Sequence, residues 1–146
     1  MSTTPTTGEI EFGMVVHDAD ACAAFYSRTL GFEEFRRVVL VEQITGPAGM
    51  GRPGSLIWLR APDGSTVKFF DGGEGSEYRP PAAGSGRDHF LSVYVQDLDA
   101  ALDAVVQGGG EPMSDPLTLP TGVRLVFFRD VGGHAVEMVQ RPEVAG

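Results

Sequence analysis

The sequence predicts an α+β fold made of two βαβββ modules, because its two halves repeat one plan. In each half a short apolar strand leads into an aspartate and a helix, and a glycine turn later leads into the final strand. The aspartate and the turn glycine are Asp18 and Gly64 in the first half, and Asp97 and Gly133 in the second. A duplicated unit of this kind usually builds one pseudo-symmetric site between its copies.

The first module begins with an alternating segment. Residues 9–16 place apolar and other residues in turn, which is the period of a half-buried strand. Its predicted buried face carries Ile10, Phe12, Met14 and Val16. Asp18 can cap a helix over residues 19–30, and Gly31 is suited to end it. Enrichment in β-branched and aromatic residues predicts the remaining strands at 32–41, 55–60 and 66–70.

The connection over residues 46–54 is rich in glycine and proline, which predicts irregular structure. It is either a flap over a cavity or a surface connection, and the sequence leaves both open. Cys22 is the only cysteine, so no disulfide can form within the chain. Because it shares a helix face with Phe25 and Tyr26, we interpret it as a small packing residue and not as a nucleophile.

The second module repeats the pattern with a strand over residues 90–95 and a helix ended by Gly108-Gly109-Gly110. The helix carries an apolar stripe of Leu98, Ala101, Leu102 and Val105. Strands are predicted at 111–113, 123–129 and 135–139. We expect a flexible N-terminus over 1–8, a single domain over 9–140 and a tail over 141–146. Within that domain, a linker over 72–86 joins modules of about 9–71 and 87–140.

Composition limits the partners. The chain has 146 residues, of which 42% are hydrophobic, enough for a core. Eleven basic and twenty acidic residues give a net charge of −9, which disfavours nucleic acid as a partner. No stretch is long and apolar enough to cross a bilayer, and the N-terminus lacks the basic start and apolar middle of a signal peptide. We therefore expect a cytoplasmic protein without membrane or nucleic-acid partners.

The repeated motifs resemble those of the vicinal oxygen chelate family. The resemblance comprises a strand ending in Val-x-Asp, a helix that bears Phe25 and Tyr26, the Leu30-Gly31-Phe32 end of that helix, and Pro62-Asp63-Gly64 before a strand. The family includes glyoxalases, ring-cleaving dioxygenases, methylmalonyl-CoA epimerases, fosfomycin-resistance enzymes and bleomycin-resistance proteins. The resemblance implies a cup of curved mixed sheet lined by both modules, with the helices on the outer face, and it also implies a homodimer.

The resemblance further implies a divalent metal held by one His, Gln or Glu from each of four strands. The matching positions in this chain are Glu11, Lys68, Phe90 and Glu137. A lysine ammonium has no lone pair for a cation, and phenylalanine offers no donor. Two carboxylates alone make a poor site for zinc, nickel or iron. We therefore expect no cofactor, although a loosely held divalent metal is possible.

Strand alternation indicates that Glu11, Lys68 and Glu137 all point into the cup, opposite their buried neighbours. We hypothesise that the three are catalytic, with one glutamate tuned as a general base near neutral pH and Lys68 stabilising a developing enolate. The alternative is a salt bridge that only compensates for a lost metal. Phe70, Phe90 and Tyr94 on the same strand faces, together with Met50 in the 46–54 connection, are predicted to contact a small organic ligand.

The sequence suggests two main function classes and a third, less favoured one. The first is an enzyme of the isomerase, epimerase or lyase type, in which Glu11 or Glu137 moves a proton next to a carbonyl. The second is a binding or sequestering protein similar to bleomycin-resistance proteins. The third is a metal-dependent glyoxalase or dioxygenase using Glu11, His89 and Glu137, which requires a bulge to turn His89 into the cup. His17 and His134 are predicted in turns, outside the site.

Overall fold

A computed structural model describes residues 5–49, 51–72 and 89–143. The first module contains β1 (Glu11–Val15), α1 (Ala19–Leu30), β2 (Glu33–Leu40), α2 (Glu42–Thr45), β3 (Gly54–Arg60) and β4 (Thr66–Phe70). The second contains β5 (Leu91–Tyr94), α3 (Leu98–Gln107), β6 (Glu111–Pro112), β7 (Leu117–Thr118), β8 (Arg124–Arg129) and β9 (Ala135–Gln140). The predicted α+β fold of two βαβββ modules is confirmed.

Each module forms one mixed sheet with its first strand at an edge. The strand order is β1-β4-β3-β2 in the first sheet and β5-β9-β8-β6 in the second, where β7 also pairs with β8. β1 runs parallel to β4, and β5 runs parallel to β9. The helices α1 and α3 pack on one side of the sheets and against each other. The opposite side of the two sheets, away from α1 and α3, is called the cup face below.

Both long helices begin in the same way. Asp18 and Asp97 are extended N-cap residues whose side chains accept a hydrogen bond from the third residue that follows, Ala21 N and Ala100 N. A residue from the end of the last strand adds a second acceptor in each module. Asp71 Oδ2 accepts from Ala19 N, and Gln140 Oε1 accepts from Leu98 N. These contacts fix each helix to the strand that carries the cup-face residues.

The core lies between the helices and the sheets and joins the two modules. Phe25 packs edge-on against Tyr26 within α1, and its ring centroid lies 6.2 Å from that of Phe128 in β8. The buried Tyr26 hydroxyl donates to Asp130 Oδ2 of the second module at 2.7 Å. The cores of the two modules are therefore continuous, which suits a chain whose separate halves would be too small to cover their sheets.

Several predicted boundaries need correction. Ile10 was predicted on the buried face of the first strand, but it precedes β1 and is 89% exposed. The single-turn helix α2 and the two-residue strand β7 were not predicted, since one turn or one ladder step leaves no periodic pattern. Residues 5–8 and 141–143 are exposed and have no regular structure. The predicted linker lies outside the described residues except for residue 72, as do residues 1–4 and 144–146.

Candidate functional site

The cup face of the first sheet carries one row of side chains across all four strands. Strand pairing places Arg36 of β2 opposite Trp58 of β3, Trp58 opposite Lys68 of β4, and Lys68 opposite Gly13 of β1. Glu11 lies two residues before Gly13 and therefore on the same side. The neighbours of Lys68 in β4, Val67 and Phe69, are buried on the helix side. The predicted inward orientation of Lys68 is confirmed.

Glu11 and Lys68 form an ion pair on this face. Lys68 Nζ lies 3.2 Å from Glu11 Oε1, and the two side chains are 34% and 39% exposed, respectively. The Lys68 side chain passes over Gly13, where a Cβ would lie in van der Waals contact with it, 3.4 Å from Lys68 Cε. The lysine thus extends from β4 over β1 to the carboxylate at the start of that strand.

Trp58 and Arg36 complete a group that we call the Trp58 patch, consisting of Glu11, Arg36, Trp58 and Lys68. Trp58 Nε1 donates to Glu11 Oε1 at 3.4 Å, and the Arg36 guanidinium carbon lies 4.6 Å from the centre of the Trp58 ring. Lys68 Nζ lies 5.7 Å from the same ring. Both distances are in the cation–π range. The buried Trp58 indole thus lies beneath the cationic groups of Arg36 and Lys68.

The patch lowers the pKa of Glu11. The hydrogen bond from Lys68 is the largest cause, and it outweighs the opposing effect of partial burial, while Trp58 and the charge of Arg36 lower the pKa further. At Glu11 the shift is opposite to the hypothesised tuning of one glutamate towards neutral pH. Glu11 is ionised at physiological pH, so it is a weaker base than predicted but a permanent hydrogen-bond acceptor.

The second sheet presents a different set at the corresponding positions. Glu137 of β9 lies opposite Ser92 of β5, and Ser92 Oγ donates to Glu137 Oε1 at 2.8 Å. Phe90 occupies the place of Glu11, and its ring centroid lies 5.3 Å from that of Phe127. Val136 and Met138 are buried on the helix side, so Glu137 has the predicted orientation. The hydrogen-bonded partner of Glu137 is Ser92, whereas Glu11 is paired with Lys68.

The predicted ligand-binding residues differ in how much surface they offer. Phe70 is 4% exposed, and its ring fills the space beside Gly72, so it presents little surface to a ligand. Phe90 is 51% exposed and Tyr94 56%. Tyr94 lies under the Arg141 guanidinium, whose carbon is 4.0 Å from the ring centre. Met50 lies outside the described residues.

A cavity of about 310 Å³ opens beside Tyr94, at the end of β5. It is lined by Tyr94, Val95, Gln96, Gln140 and Arg141. The Gln140 side-chain oxygen already accepts from Leu98 N in the first turn of α3. The cavity lies at the edge of the second sheet, where β5 and β9 end.

The residues present do not fit the metal site that the family resemblance implies. Lys68 occupies one of the four positions and holds Glu11, and Phe90 occupies another. In residues 5–49, 51–72 and 89–143, no three His, Cys, Asp or Glu side chains come together in a way that could hold a metal ion. His89 precedes β5 and is exposed. The set of Glu11, His89 and Glu137 is therefore not assembled as a metal centre.

Three further titratable residues act in packing. Cys22 is buried, and burial followed by the charge of Asp130 raises the pKa of its thiol to about 12. This confirms the prediction of a packing residue, because a thiol of this pKa is unreactive near neutral pH. Burial likewise raises the pKa of Tyr26. His134 lies in the β8–β9 turn as predicted, and its Nε2 is 3.0 Å from the carbonyl oxygen of Val15 in β1.

Sequence reasoning missed Arg36 and Trp58, although one signal could have identified Trp58. The tight turn around Asp63 and Gly64 joins β3 to β4 as a hairpin, and Ala61 N donates to Ser65 O at its base. Counting outward from this pair places Trp58 opposite Lys68. No similar signal exists for Arg36, because β2 changes register between Glu34 and Arg36.

The fold and these motifs agree with comparisons to known proteins. A family model described as the glyoxalase/bleomycin resistance protein/dioxygenase superfamily matches residues 10–138. The chain therefore belongs to this superfamily, as the resemblance predicted. A comparison with curated proteins finds no match. In the described part of the chain, no helix has the length and apolar character needed to span a membrane.

Solved structures support the same fold. A glyoxalase family protein from Bacillus cereus is 17% identical, with a TM-score of 0.84 and coverage of 98% of this chain and 99% of that one. A glyoxalase/dioxygenase from Nostoc punctiforme is 22% identical, with a TM-score of 0.67 and coverage of 98% and 97%. The fosfomycin resistance protein FosX from Listeria monocytogenes, in complex with Mn(II) and sulfate, is 13% identical, with a TM-score of 0.63 and coverage of 96% and 95%.

Proposed function

We propose that the protein is a small-molecule enzyme that moves a proton next to a carbonyl group without a metal, in an isomerase-, epimerase- or lyase-like reaction. Glu11 accepts the proton, and Lys68 stabilises the negative charge that develops on the carbonyl oxygen. The observation that carries the proposal is the Glu11–Lys68 ion pair, which joins a base and an electrostatic stabiliser at 3.2 Å on the cup face. Intracellular action on a free small molecule, in the cytoplasm and as a homodimer, is part of the same proposal.

The Glu11 carboxylate and the Lys68 ammonium can act together in the formation of an enolate. An ionised carboxylate can take a proton from the carbon beside a carbonyl, and the electron pair then moves onto the oxygen as an enolate. A fixed ammonium next to that oxygen lowers the energy of the enolate. Return of the proton to the other face, or to the neighbouring atom, completes an epimerisation or isomerisation. Both side chains are partly exposed and can therefore meet a ligand in the cup.

Glu137 is the second carboxylate proposed to be catalytic, and Glu11 is the better candidate for the base. The Glu137 carboxylate accepts from a neutral hydroxyl, that of Ser92, and the described residues place no ammonium against it. The Lys68 ammonium is therefore placed beside Glu11 and not beside Glu137. Phe90 and Tyr94 offer exposed ring surface on the same half of the cup face for the apolar part of a substrate.

The first test measures proton exchange directly, so it does not require knowledge of the complete reaction. A panel of 2-oxo acids, hydroxyketones and aldehydes is incubated with the protein in D2O, and proton NMR follows loss of the signal beside each carbonyl. We expect catalysed exchange for at least one compound class, with a loss of about 100-fold in Glu11→Gln and in Lys68→Met. Asp99→Asn, which alters an exposed helix residue, is the control and should exchange at the normal rate.

A binding protein is the second candidate, and the lowered pKa of Glu11 favours it. A general base is usually tuned towards the working pH, whereas the patch shifts Glu11 in the opposite direction. In this alternative the Glu11–Lys68 pair only recognises a ligand. Binding of panel compounds without any exchange would favour sequestration, and exchange that survives both substitutions would contradict the catalytic assignment of this pair.

A further inference from the structure

Five arginines of the two sheets and their ends have partners of two kinds. Arg37 and Arg124 lie on the helix side and pair with acids, Asp20 of α1 and Asp99 of α3, respectively. Three others lie over aromatic rings: Arg36 over Trp58, Arg60 over Phe35 and Arg141 over Tyr94. Among the described residues, none of these three guanidinium groups takes part in a salt bridge.

In the described part of the chain, the lack of an acidic partner for Arg36, Arg60 and Arg141 is unexpected for a protein with a net charge of −9 and twenty acidic residues. Acids are abundant enough to pair with every arginine, and Arg37 and Arg124 do pair with them. A guanidinium that lies flat on a ring keeps the N–H donors along its edge available. Such a group is suited to bind a carboxylate through two parallel hydrogen bonds.

Arg36 is the best placed of the three. It is exposed, and its guanidinium carbon lies 4.6 Å from the centre of the Trp58 ring, which is buried beneath it. It also lies in the row that leads through Trp58 to Lys68. Within the Trp58 patch, Arg36 and Lys68 supply two positive charges against the single negative charge of Glu11. The patch therefore attracts an anion although the protein as a whole repels one.

We propose that Arg36 binds a carboxylate group of the ligand, so that the protein takes small organic acids and not neutral carbonyl compounds. That these acids are substrates rests on the proposed function, in which Glu11 and Lys68 are the reacting residues. Their binding can be tested separately from the reaction. With the carboxylate on Arg36, the neighbouring part of the ligand lies over the row towards Lys68 and Glu11. Arg36 is a binding residue in this arrangement and takes no part in proton transfer.

Trp58 provides the measurement, because it is the only tryptophan in the chain. Its fluorescence reports on the patch without an added label. Phenylacetate and phenylacetamide serve as probes, since they share size and ring but only the first carries a charge. We expect phenylacetate to bind at least tenfold more tightly than the amide, which corresponds to about 1.4 kcal/mol.

The arginine variants test which side chain is responsible. Arg36→Met should abolish the preference for the acid, and Arg36→Lys should retain part of it, because lysine keeps the charge but loses the two-bond geometry. Arg37→Met is the matched control: it changes the next residue of the same strand on the opposite face, and the preference should persist. Far-UV circular dichroism of each variant verifies folding, and Arg36→Lys keeps the test valid if Arg36→Met does not fold.

Equal affinity for acid and amide, no binding of the acid up to about 10 mM, or an unchanged preference in both Arg36 variants would overturn the proposal. The outcome is separable from that of the exchange assay. Acid-selective binding without proton exchange supports the Arg36 assignment and rejects the enzyme. Exchange on neutral ketones without any preference for acids supports the enzyme and rejects the Arg36 assignment.

Discussion

The two modules share their helix side and differ on the cup face. Both begin their long helix at an extended aspartate and fix it through a side chain at the end of the last strand. At equivalent cup positions, however, Glu11 of the first module is paired with Lys68. In the second module, Phe90 contacts Phe127 edge to face, and Glu137 accepts a hydrogen bond from Ser92. The duplicated fold thus tolerates divergence where side chains face the cup, while the packing side has kept its pattern.

Gly13 and Ser92 occupy equivalent positions in the two modules and differ in what they offer to the neighbouring charged side chain. Each residue lies on the edge strand opposite the central cup residue of its module, Lys68 or Glu137. Glycine leaves room for the lysine to cross to Glu11, whereas serine supplies a hydroxyl to the glutamate. The first module therefore has an ion pair, and the second has a neutral donor with exposed aromatic surface.

A third difference lies in the matching turns. Ala61 begins the β3–β4 turn, and Asp130 begins the β8–β9 turn with the same two backbone hydrogen bonds. Asp130 is buried and accepts from Gly132 N, His134 N and the Tyr26 hydroxyl. Ala61 has no such side chain, so only the second module connects its turn to the helix of the other module.

The largest expected effect follows from removing this connection. Asp130→Ala places in the β8–β9 turn the residue type that Ala61 provides in the β3–β4 turn. It leaves the buried Tyr26 hydroxyl and the backbone N–H groups of Gly132 and His134 without this acceptor. We expect a loss of about 3 kcal/mol in the free energy of unfolding, measured by urea denaturation. Asp63→Ala removes the exposed turn aspartate of the first module, which accepts from Ser65, and should cost far less. Similar losses in the two variants would contradict the structural role assigned to Asp130.

Helix-capping and turn residues made the bounds of some helices and strands predictable from the sequence. The helix α1 and the strand β4 have their predicted bounds, because Asp18, Gly31 and the Pro62-Asp63-Gly64 turn mark their ends. Gly31 takes a left-handed conformation with φ of 73°, which favours glycine over residues with a Cβ. Two-residue alternation was likewise sufficient to orient Lys68 and Glu137.

The contacts within the site required information that is not local. The pairing of Lys68 with Glu11 depends on the parallel register of β1 and β4, which are joined through the rest of the module. Arg36 reaches Trp58 only because β2 shifts register at Glu34. The direction of the Glu11 pKa shift then follows from these contacts, because the hydrogen bond from Lys68 outweighs the effect of desolvation.

A second prediction concerns Gly13, whose replacement by a larger residue would remove one difference between the modules. In Gly13→Val the Cβ would lie 3.4 Å from Lys68 Cε, and its two methyl groups would force the lysine away from Glu11. We expect the pKa of Glu11, followed by carbon-13 NMR of its carboxyl group, to rise towards the ordinary value and catalysed proton exchange to fall about tenfold.

Ser92→Val is the matched control, because it places the same side chain at the equivalent position of the second module. It should leave the Glu11 titration unchanged, since Ser92 contacts Glu137 and not the Trp58 patch. A Glu11 pKa that is the same in Gly13→Val and in the parent protein would show that Lys68 is not the main cause of the shift.

The smallest expected effect is the contribution of the ion pair to stability. Glu11 has a lowered pKa in the folded state, so it stabilises the fold at pH values above its unfolded pKa, and this stabilisation disappears as the pH falls through the folded value. The parent protein should therefore lose stability relative to Glu11→Gln when the pH is lowered from 7 through the region below 4.5, the ordinary value for glutamate. Because both side chains are about one-third exposed, solvent screening limits the difference to less than about 1 kcal/mol. A loss several times larger, in paired urea titrations of the two proteins at each pH, would mean that the ion pair is a structural element, as in the salt-bridge alternative, and would weaken its assignment to chemistry on the cup face.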